Sequence, residues 1–155
     1  MPKSKQIRVQ TEDFDVGAEL AQLRAGKPEL GAVAAFVGLV RDLNDGSAVS
    51  EMVLEHYPAM TQKALEAIVA QAHERWRIFD ALVVHRIGQL KPTDQIVLVA
   101  VTSAHRGDAF HACEFIMDYL KTQAPFWKKE QTAAGARWVE ARASDDVAAA
   151  RWEQS

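Results

Sequence analysis

The chain has 155 residues, 48% hydrophobic and 25% charged, a balance that suits one globular domain, 1–155, with an ordinary core. Its formal net charge of -3 argues against broad nucleic-acid binding, because affinity for a phosphate backbone needs a basic surface. No apolar run reaches the ~20 residues that cross a bilayer, and one cysteine cannot form an internal disulfide, so we expect a cytoplasmic protein without a membrane anchor.

Hydrophobic periodicity divides the first half of the chain into strands and two amphipathic helices. In order, the patterns predict a strand at 7–10, a helix at 16–25 capped by Asp15, a buried strand at 31–40, a half-buried strand at 52–57, and a helix that opens at Thr61 and closes near Trp76. Arg41 follows the strand at 31–40, where an arginine is either a solvated strand end or an anion ligand.

The second half continues with a strand at 81–90, interrupted at Gly88, and a K-P-T-D turn. Next come a buried strand at 96–101 and a helix from about 105 to 122–124. Two strands at 126–132 and 137–141 then form a hairpin around the turn A-A-G-A. The last predicted helix is capped by Ser144 and Asp145 and ends near Trp152. Strand pairs joined by short turns alternate with single helices, so the pattern predicts a two-layer α+β domain.

The helix after the strand at 96–101 is the element on which the candidate core and the candidate site both depend. Its residues at three- and four-residue spacing predict an apolar stripe that packs on the sheet, formed by Phe110, Cys113, Ile116, Met117 and Leu120. The cysteine of this stripe is therefore expected to be a small core residue. Pro125 sets the end of the helix.

Cationic residues stand at both ends of this helix. His105 and Arg106 lie where unpaired N–H groups of the first turn attract an anion such as a phosphate. Lys121, Lys128 and Lys129 gather at the other end, flanked by Phe126 and Trp127. Alone, each group has a structural explanation, since the helix dipole favours a lysine in the last turn. Together at chain reversals, they indicate an anion site.

Other polar residues give no metal site. His56, His85 and Glu55 lie on predicted strands without metal-ligand spacing, so we interpret them as structural polar residues and expect neither a metal nor a cofactor.

Seven segments, in order and spanning most of the chain, resemble the large, catalytic subunit of molybdopterin synthase. They are F-V-G-L-V-R at 36–41, L-E-H-Y-P-A-M at 54–60, H-R-I-G at 85–88, T-S-A-H-R at 102–106, F-I-M-D-Y-L-K at 115–121, A-P-F-W-K-K-E at 124–130 and R-W-V-E-A-R at 137–142. Seven segments in register are far more specific than any one of them.

The resemblance implies an α/β-hammerhead fold, a mostly antiparallel mixed sheet covered by helices with a C-terminal hairpin. It also implies transfer of two sulfur atoms to cyclic pyranopterin monophosphate, which gives the dithiolene pterin of the molybdenum cofactor. The donor in such systems is a small ubiquitin-like subunit whose C-terminal glycine carries a thiocarboxylate, assembled with a homodimer of the large subunit into a heterotetramer. A chain whose one cysteine lies on a core stripe needs such an external donor.

Carried over by position, the resemblance places Lys121 and Lys128 among the substrate-binding residues, and their chemistry leads us to assign them catalysis. The resemblance also assigns substrate binding to Arg41, His105, Arg106, Lys129, Glu130, Leu39 and Val40. Leu39 departs from family members that have lysine there, which removes one cation, so we give Leu39 a lining role only.

The chemistry fits these assignments. A phosphate suits Arg41, His105 and Arg106, and the ammonium of Lys121 would stabilise an oxyanion at each acyl-sulfur step. The like charge of Lys128 would favour the neutral form of Lys121, which could then act as a general acid or base. Glu130 could orient a lysine. Phe126 or Trp127 could stack on the pterin, although an aromatic residue in an apolar hairpin is more often part of the core.

Helix length raises a geometric problem. About 15 helical residues separate His105 from Lys121, roughly 20 Å at 1.5 Å per residue, which exceeds the length of a pterin phosphate. We therefore expect a site shared across a homodimer, with Lys121, Lys128 and Arg41 from one chain facing His105 and Arg106 from the other.

Two other functions remain open from the residues alone. One is a hydrolase or isomerase of a small phosphate ester that uses His105 and Lys121 without a protein donor. The other is a non-catalytic module whose cationic corner grips an acidic partner tail.

Overall fold

The computed structural model describes residues 6–44, 47–132, 135–139 and 143–154, with the backbone alone at 43–44, 47–50, 129–132, 135–139, 143–145, 151 and 154. The strands are β1 (Ile7–Gln10), β2 (Ala32–Leu39), β3 (Leu43–Asn44), β4 (Ser47–His56), β5 (Ile78–Arg86), β6 (Gly88–Leu90), β7 (Gln95–Ser103), β8 (Phe126–Thr132) and β9 (Gly135–Val139). The helices are α1 (Val16–Arg24), α2 (Pro58–Arg75), α3 (Arg106–Gln123) and α4 (Ala143–Ala150), followed by a 3-10 turn at Arg151–Gln154.

The first sheet has the strand order β1-β5-β7-β2, with β1 parallel to β5 and the other pairs antiparallel. Because side chains alternate along a strand, its two faces form separate cores. Val83 and Val99 lie in the core that includes residues of α2 and α3, whereas Val84 and Leu98 pack with residues beside and within α1. Helices thus cover both faces, which explains the unbroken apolar sequence of β7.

The second sheet is built on β4, in the order β3-β4-β8-β9, with β6 also paired to β4. The chain passes from the first sheet to the second at Gly88, whose φ of +88° suits glycine. The predicted single strand at 81–90 is therefore two strands in two sheets. The mixed α+β architecture is confirmed, and α1 adds a layer on the far side of the first sheet.

Several predicted element ends were wrong by a few residues, the largest difference being at β4, which begins at Ser47 and not at 52. The prediction that the strand at 31–40 is buried was also wrong, because the side chains of Val33, Phe36 and Leu39 in β2 are exposed. Helix α2 begins at Pro58, not at Thr61, because proline is well suited to the first helical position. In the C-terminal hairpin, Gly135 already pairs with Thr132 in β9, so it lies in the strand and not in the turn. The prediction for residues 133–134 and 140–141 lies outside the described residues.

The cap predictions had mixed outcomes. Asp15 caps α1 as predicted, since its carboxylate accepts a hydrogen bond of 3.0 Å from the Ala18 N–H. Ser144 and Asp145 do not precede the last helix, because α4 begins at Ala143 and includes both. Helix α4 ends at Ala150 and continues as the 3-10 turn at Arg151–Gln154, so the predicted helix end near Trp152 was correct within two residues. The Trp152 Nε1–H donates to Asp118 Oδ2 at 2.6 Å, which fixes the C-terminal segment on α3.

The apolar stripe of α3 was predicted correctly except at Phe110. Cys113, Ile116, Met117 and Leu120 are buried, but the Phe110 side chain is 60% exposed. In the first turns of α3 the buried residues are Ala109 and Ala112, both 0% exposed. Their small side chains let the helix approach the sheet closely, which turns Phe110 outward.

Candidate active site

A shallow pocket lies at the N-terminal end of α3, where an anion site was predicted. A cavity of about 440 Å³ is lined by Gly31, Ala104, His105, Arg106 and Gly107. His105 is the N-cap residue with an extended backbone, and its side chain makes no capping hydrogen bond, so the N–H groups of the first turn keep the positive end of the helix dipole. The side chains of His105 and Arg106 are exposed.

Gly31 makes the close approach in this pocket possible. Its N–H donates to Ser103 O at 3.0 Å, and a Cβ at this position would lie 2.0 Å from the Ala104 carbonyl oxygen. The backbone just before α3 is therefore in close contact with the backbone just before β2, and no residue larger than glycine fits at position 31.

The C-terminal end of α3 brings Lys121 and Lys128 together. Lys121 is exposed in the last turn of the helix, and Lys128 is half-buried in β8 after the reversal at Pro125. Both ammonium groups influence one ring, that of His85. Its pKa is lowered to about 3, first by burial and then, against the opposing hydrogen bond to the Arg86 carbonyl, by the charges of Lys121 and Lys128. The two predicted catalytic lysines therefore lie close enough to one buried imidazole to disfavour its charged form.

Arg41 lies at the same end of the first sheet as these lysines. His85 pairs with Val97 in β5 and β7, and Val97 pairs with Gly38 in β2, so the three form one row across the sheet. Arg41 follows three residues beyond Gly38 and is exposed. His105 and Arg106 lie at the opposite end, since the 18 residues of α3 span about 27 Å.

The neighbours of Arg41 have different surroundings. The Leu39 side chain is 52% exposed, which leaves it available to line a site. Val40 is 5% exposed and packs in the second sheet's core with Met52 and Leu90, so its side chain serves packing. Its backbone is paired as well, since Val40 N–H donates to Asp94 O and Val40 O accepts from the Thr93 N–H, both at 2.9 Å.

Lys129 and Glu130 are placed by backbone only. In β8 they pair with Val53 and Met52 of β4. Their side chains lie outside the described part of the chain, so their predicted roles in substrate binding remain predictions.

The two aromatic residues of this corner differ. Phe126 stacks with the rings of His85 and His56, with centroid distances of 3.8 and 5.9 Å, and packs against the main core. These contacts agree with the packing role considered for Phe126, and its stacking on a pterin remains a prediction. Trp127 is half-buried against Tyr57, at 4.8 Å between ring centroids.

Cys113 lies midway along α3 and is buried, as predicted. Burial raises the pKa of its thiol to about 11, and its Sγ lies 3.7 Å from the Val99 carbonyl oxygen. A thiol in this state is a poor nucleophile, because the reactive form is the thiolate. This residue is unsuited to carrying sulfur.

The H-R-I-G segment contains residues to which the sequence interpretation gave no part in the site. His85, which was interpreted as a structural polar residue, is buried. Arg86 holds neighbouring strands together: its Nη1 donates to Gln95 O at 3.0 Å, and its Nε and Nη2 donate to Thr11 O at 3.2 Å. Gly88 makes the turn between the sheets. The clue was a histidine and an arginine in an otherwise apolar strand.

Within the described ranges, no group of three or more His, Cys, Asp or Glu side chains is arranged to hold a metal ion. None of the helices in those ranges combines the length and apolar character that a bilayer crossing requires.

Comparison with known proteins identifies the family. The family model described as MoaE protein matches residues 9–123 of this chain. The chain belongs to the MoaE family. Its relatives include the molybdopterin synthase catalytic subunits of Ralstonia nicotianae, 70% identical over 94% of this chain and 83% of that protein, and of Pseudomonas aeruginosa, 58% identical over 96% of this chain and 99% of that protein.

Solved structures of MoaE proteins share the fold. The molybdopterin biosynthesis MoaE protein of Burkholderia ambifaria is 61% identical, with a TM-score of 0.82 over 96% of this chain and 97% of that one. Molybdopterin synthase from Staphylococcus aureus is 34% identical, with a TM-score of 0.79 over 87% of this chain and 97% of that one. The resemblance inferred from the seven sequence segments is therefore confirmed.

Proposed function

We propose that this chain is the catalytic subunit of a molybdopterin synthase. It transfers two sulfur atoms from the C-terminal thiocarboxylate of a small ubiquitin-like partner to cyclic pyranopterin monophosphate in the cytoplasm. The observation that carries the proposal is that Lys121 and Lys128 both lie near His85, at the end of the sheet where Arg41 also lies. Relatives that include one of 70% identity carry this name.

The lysine corner provides what an acyl-sulfur reaction requires. When a nucleophile attacks the thiocarboxyl carbon, negative charge develops on its oxygen, and a fixed ammonium beside that oxygen stabilises the transition state. Lys121 takes this role because the last turn of α3 leaves it exposed. The half-buried Lys128 adds a second positive charge at the same place.

An external donor suits this chain. Cys113 is the one cysteine of the sequence, and it is buried, protonated and packed against Val99. Sulfur must therefore arrive on another molecule. A flexible C-terminal tail ending in a glycine thiocarboxylate is narrow enough to bring its sulfur to the exposed end of Lys121.

The two ends of α3 contribute to one site if two copies of the chain meet at β2. This strand has a neighbour on one side only among the described strands, namely β7. Apolar side chains lie exposed on and beside it, those of Val33, Phe36, Leu39 and Phe110. A two-fold contact along β2 would bury them.

This contact also solves the length problem. Since β2 and β7 are antiparallel, the amino end of β2 lies beside Ser103 and the start of α3, and its carboxyl end leads to Arg41. An antiparallel pairing of β2 with the partner's β2 places Arg41 of one protomer opposite the amino end of β2, and hence His105 and Arg106, of the other. The phosphate of the substrate can then bind at one protomer while its ring meets the lysines of the other.

A single-turnover assay tests the function. Purified chain, cyclic pyranopterin monophosphate and thiocarboxylated small subunit are mixed, with Lys121→Ala alongside and Lys63→Ala, an exposed lysine of α2, as the matched control. We expect dithiolene product with the wild type and with Lys63→Ala but not with Lys121→Ala, while all three bind the donor. Donor binding without any sulfur transfer by the wild type would instead indicate a binding module. Turnover of a phosphate ester without the donor would indicate a hydrolase or isomerase.

A mixed-dimer experiment tests the shared site. The assay uses the pterin monophosphate well below its KM, where the Lys121→Ala chain lacks the catalytic ammonium and the His105→Ala chain binds too little substrate to turn over. In a mixed dimer, however, one of the two sites is assembled from intact residues. We expect about a quarter of wild-type activity in a random equimolar mixture, since half of the dimers are mixed and each of these keeps one of two sites. Two folded, dimeric variants that regain nothing on mixing would refute the shared site.

A further inference from the structure

Three rings form a stack where the two sheets meet. His85 of β5 lies against Phe126, with 3.8 Å between ring centroids and 13° between ring planes. Phe126 is the first residue of β8, and its cross-strand partner in β4 is His56, at 5.9 Å and 23°. One phenyl ring thus stacks with an imidazole of the first sheet and with an imidazole of the second.

The His85 ring has a defined orientation and a defined tautomer. Its Nδ1 lies 2.8 Å from the Arg86 carbonyl oxygen, and because a carbonyl only accepts, Nδ1 carries the proton. The ring is 5% exposed. Burial and the positive charges of Lys121 and Lys128 keep it neutral, with its pKa at about 3. The buried group near the two lysines is therefore a fixed, uncharged ring.

The stack joins β5 of the first sheet to β8, the strand that carries Lys128. Lys121 belongs to α3, which packs on the first sheet, and Lys128 belongs to β8 of the second sheet. Their separation therefore depends on how β8 is fixed against the first sheet. Phe126 precedes Lys128 by two residues in the strand, so its contact with His85 fixes β8 close to Lys128.

We propose that His85 is a positioning residue for sulfur transfer, and that the stack of His85, Phe126 and His56 sets the distance between Lys121 and Lys128. The inference rests on the proposed function for its catalytic consequence. The imidazole combines three properties that other side chains lack together: a flat face for Phe126, an N–H for the Arg86 carbonyl, and no charge beside two ammonium groups.

Substitutions can separate these properties. His85→Phe keeps a flat ring and removes the N–H, His85→Asn keeps an N–H donor and removes the ring, and Phe126→Leu removes the stacking from the second sheet. The matched control is His111→Phe, because His111 stacks on Trp76 at 6.2 Å on an exposed face of α3. His56→Phe keeps an aromatic ring in contact with Phe126. It carries little risk of unfolding, because His56 is only partly buried.

The experiment combines single-turnover kinetics with a ¹³C NMR titration of the Lys121 and Lys128 side chains, each on folded protein. We expect His85→Asn and Phe126→Leu to lower the rate constant for sulfur transfer at least tenfold with unchanged donor binding, and to alter the mutual coupling of the two lysine titrations. His85→Phe and His56→Phe should lie between these variants and the wild type, and His111→Phe should match the wild type.

Two results are decisive. If the folded His85→Asn and Phe126→Leu variants keep wild-type rate constants and lysine titrations, the stack only stabilises the fold and the inference is wrong. If the wild type transfers no sulfur but the titrations still change in these variants, the proposed function fails while the positioning of the lysines by the stack stands. Should His85→Asn not fold, Phe126→Leu and His56→Phe decide by the same readouts.

Discussion

The two ends of helix α3 hold positive charge in different ways. At the N-terminal end the attraction comes from backbone N–H groups and from the exposed side chains of His105 and Arg106. At the C-terminal end the positive charge comes from Lys121 and Lys128, which both lie near the buried ring of His85. The first end is a surface pocket, whereas the second is supported by packed aromatic rings from both sheets.

This difference teaches how one helix can serve two tasks. Binding a phosphate needs donors pointing to one place and tolerates solvent, because the substrate itself completes the site. Stabilising a transition state needs charges already fixed at the correct distance, since reorganisation during the reaction would cost free energy. We therefore expect substitutions at the N-terminal end to weaken binding and those at the C-terminal end to slow chemistry.

The largest expected effect separates these two tasks. Lys121→Ala should lower kcat by about 10²–10³-fold, the usual loss when an oxyanion-stabilising donor is removed. Arg106→Ala should raise KM for the pterin monophosphate about tenfold and leave kcat within threefold, because a phosphate contact made equally in ground and transition states changes binding only. Steady-state kinetics with saturating donor measures both. Equal losses of kcat in the two variants would show that binding and catalysis are not separated between the two ends of α3.

A pair of glycines tests the backbone at the N-terminal end. Gly31→Ala should lower the free energy of unfolding by about 1–3 kcal/mol, because the new Cβ would lie 2.0 Å from the Ala104 carbonyl oxygen and backbone must move. Gly107→Ala is the matched control in the same pocket: no atom lies within 4 Å of its new Cβ, and alanine suits a helix better by about 0.5–1 kcal/mol. Urea denaturation measures both, and a neutral Gly31→Ala would contradict the tight approach.

The C-terminal end should be the acid-sensitive one. The unfolded chain protonates His85 near the ordinary pKa of 6.5, but burial, followed by the charges of Lys121, Lys128 and His56, holds the folded pKa at about 3. The stability from the neutral ring is therefore complete above pH 6.5 and is lost as pH falls toward 3, by about 2 kcal/mol at pH 5.

Denaturation curves from pH 7 to pH 4 check this contribution. The wild type should lose stability steeply, and His85→Phe should lose less over the same range, even though it starts lower. His105→Asn, at the exposed end of α3, should keep the wild-type slope. An unchanged slope in His85→Phe would mean that other groups control acid denaturation.

Much of this architecture was predictable because the informative residues are strongly patterned. The continuous valines of β7 and the proline after α3 predicted a buried strand and a helix end within one or two residues. Phe110 was misassigned, because periodicity alone favours the larger side chain while the close packing of the helix on the sheet selects the neighbouring alanines. Local patterns carry no information about how closely two elements approach.

The candidate site was predictable to a different degree. The cationic residues at both ends of α3 were recognised from their position at chain reversals. The importance of His85 was not, because an isolated histidine in an apolar strand is usually structural, and its neighbours Phe126 and Lys121 are more than 35 residues away in sequence. Only the meeting of the two sheets brings the rings together.

The smallest expected effect concerns the middle of α3, between the two ends. Cys113→Ala should leave the rate constant for sulfur transfer within twofold of the wild type, because the buried thiol, with its pKa raised to about 11, takes no part in a reaction whose sulfur comes from the donor. Stability should fall by about 1 kcal/mol, since removing the sulfur atom leaves a small cavity against Val99. Single-turnover kinetics and thermal denaturation measure the two quantities on the same preparation. Loss of sulfur transfer in a stably folded Cys113→Ala variant would contradict the proposed external donor, and it would move the chemistry from the C-terminal end of the helix to its centre.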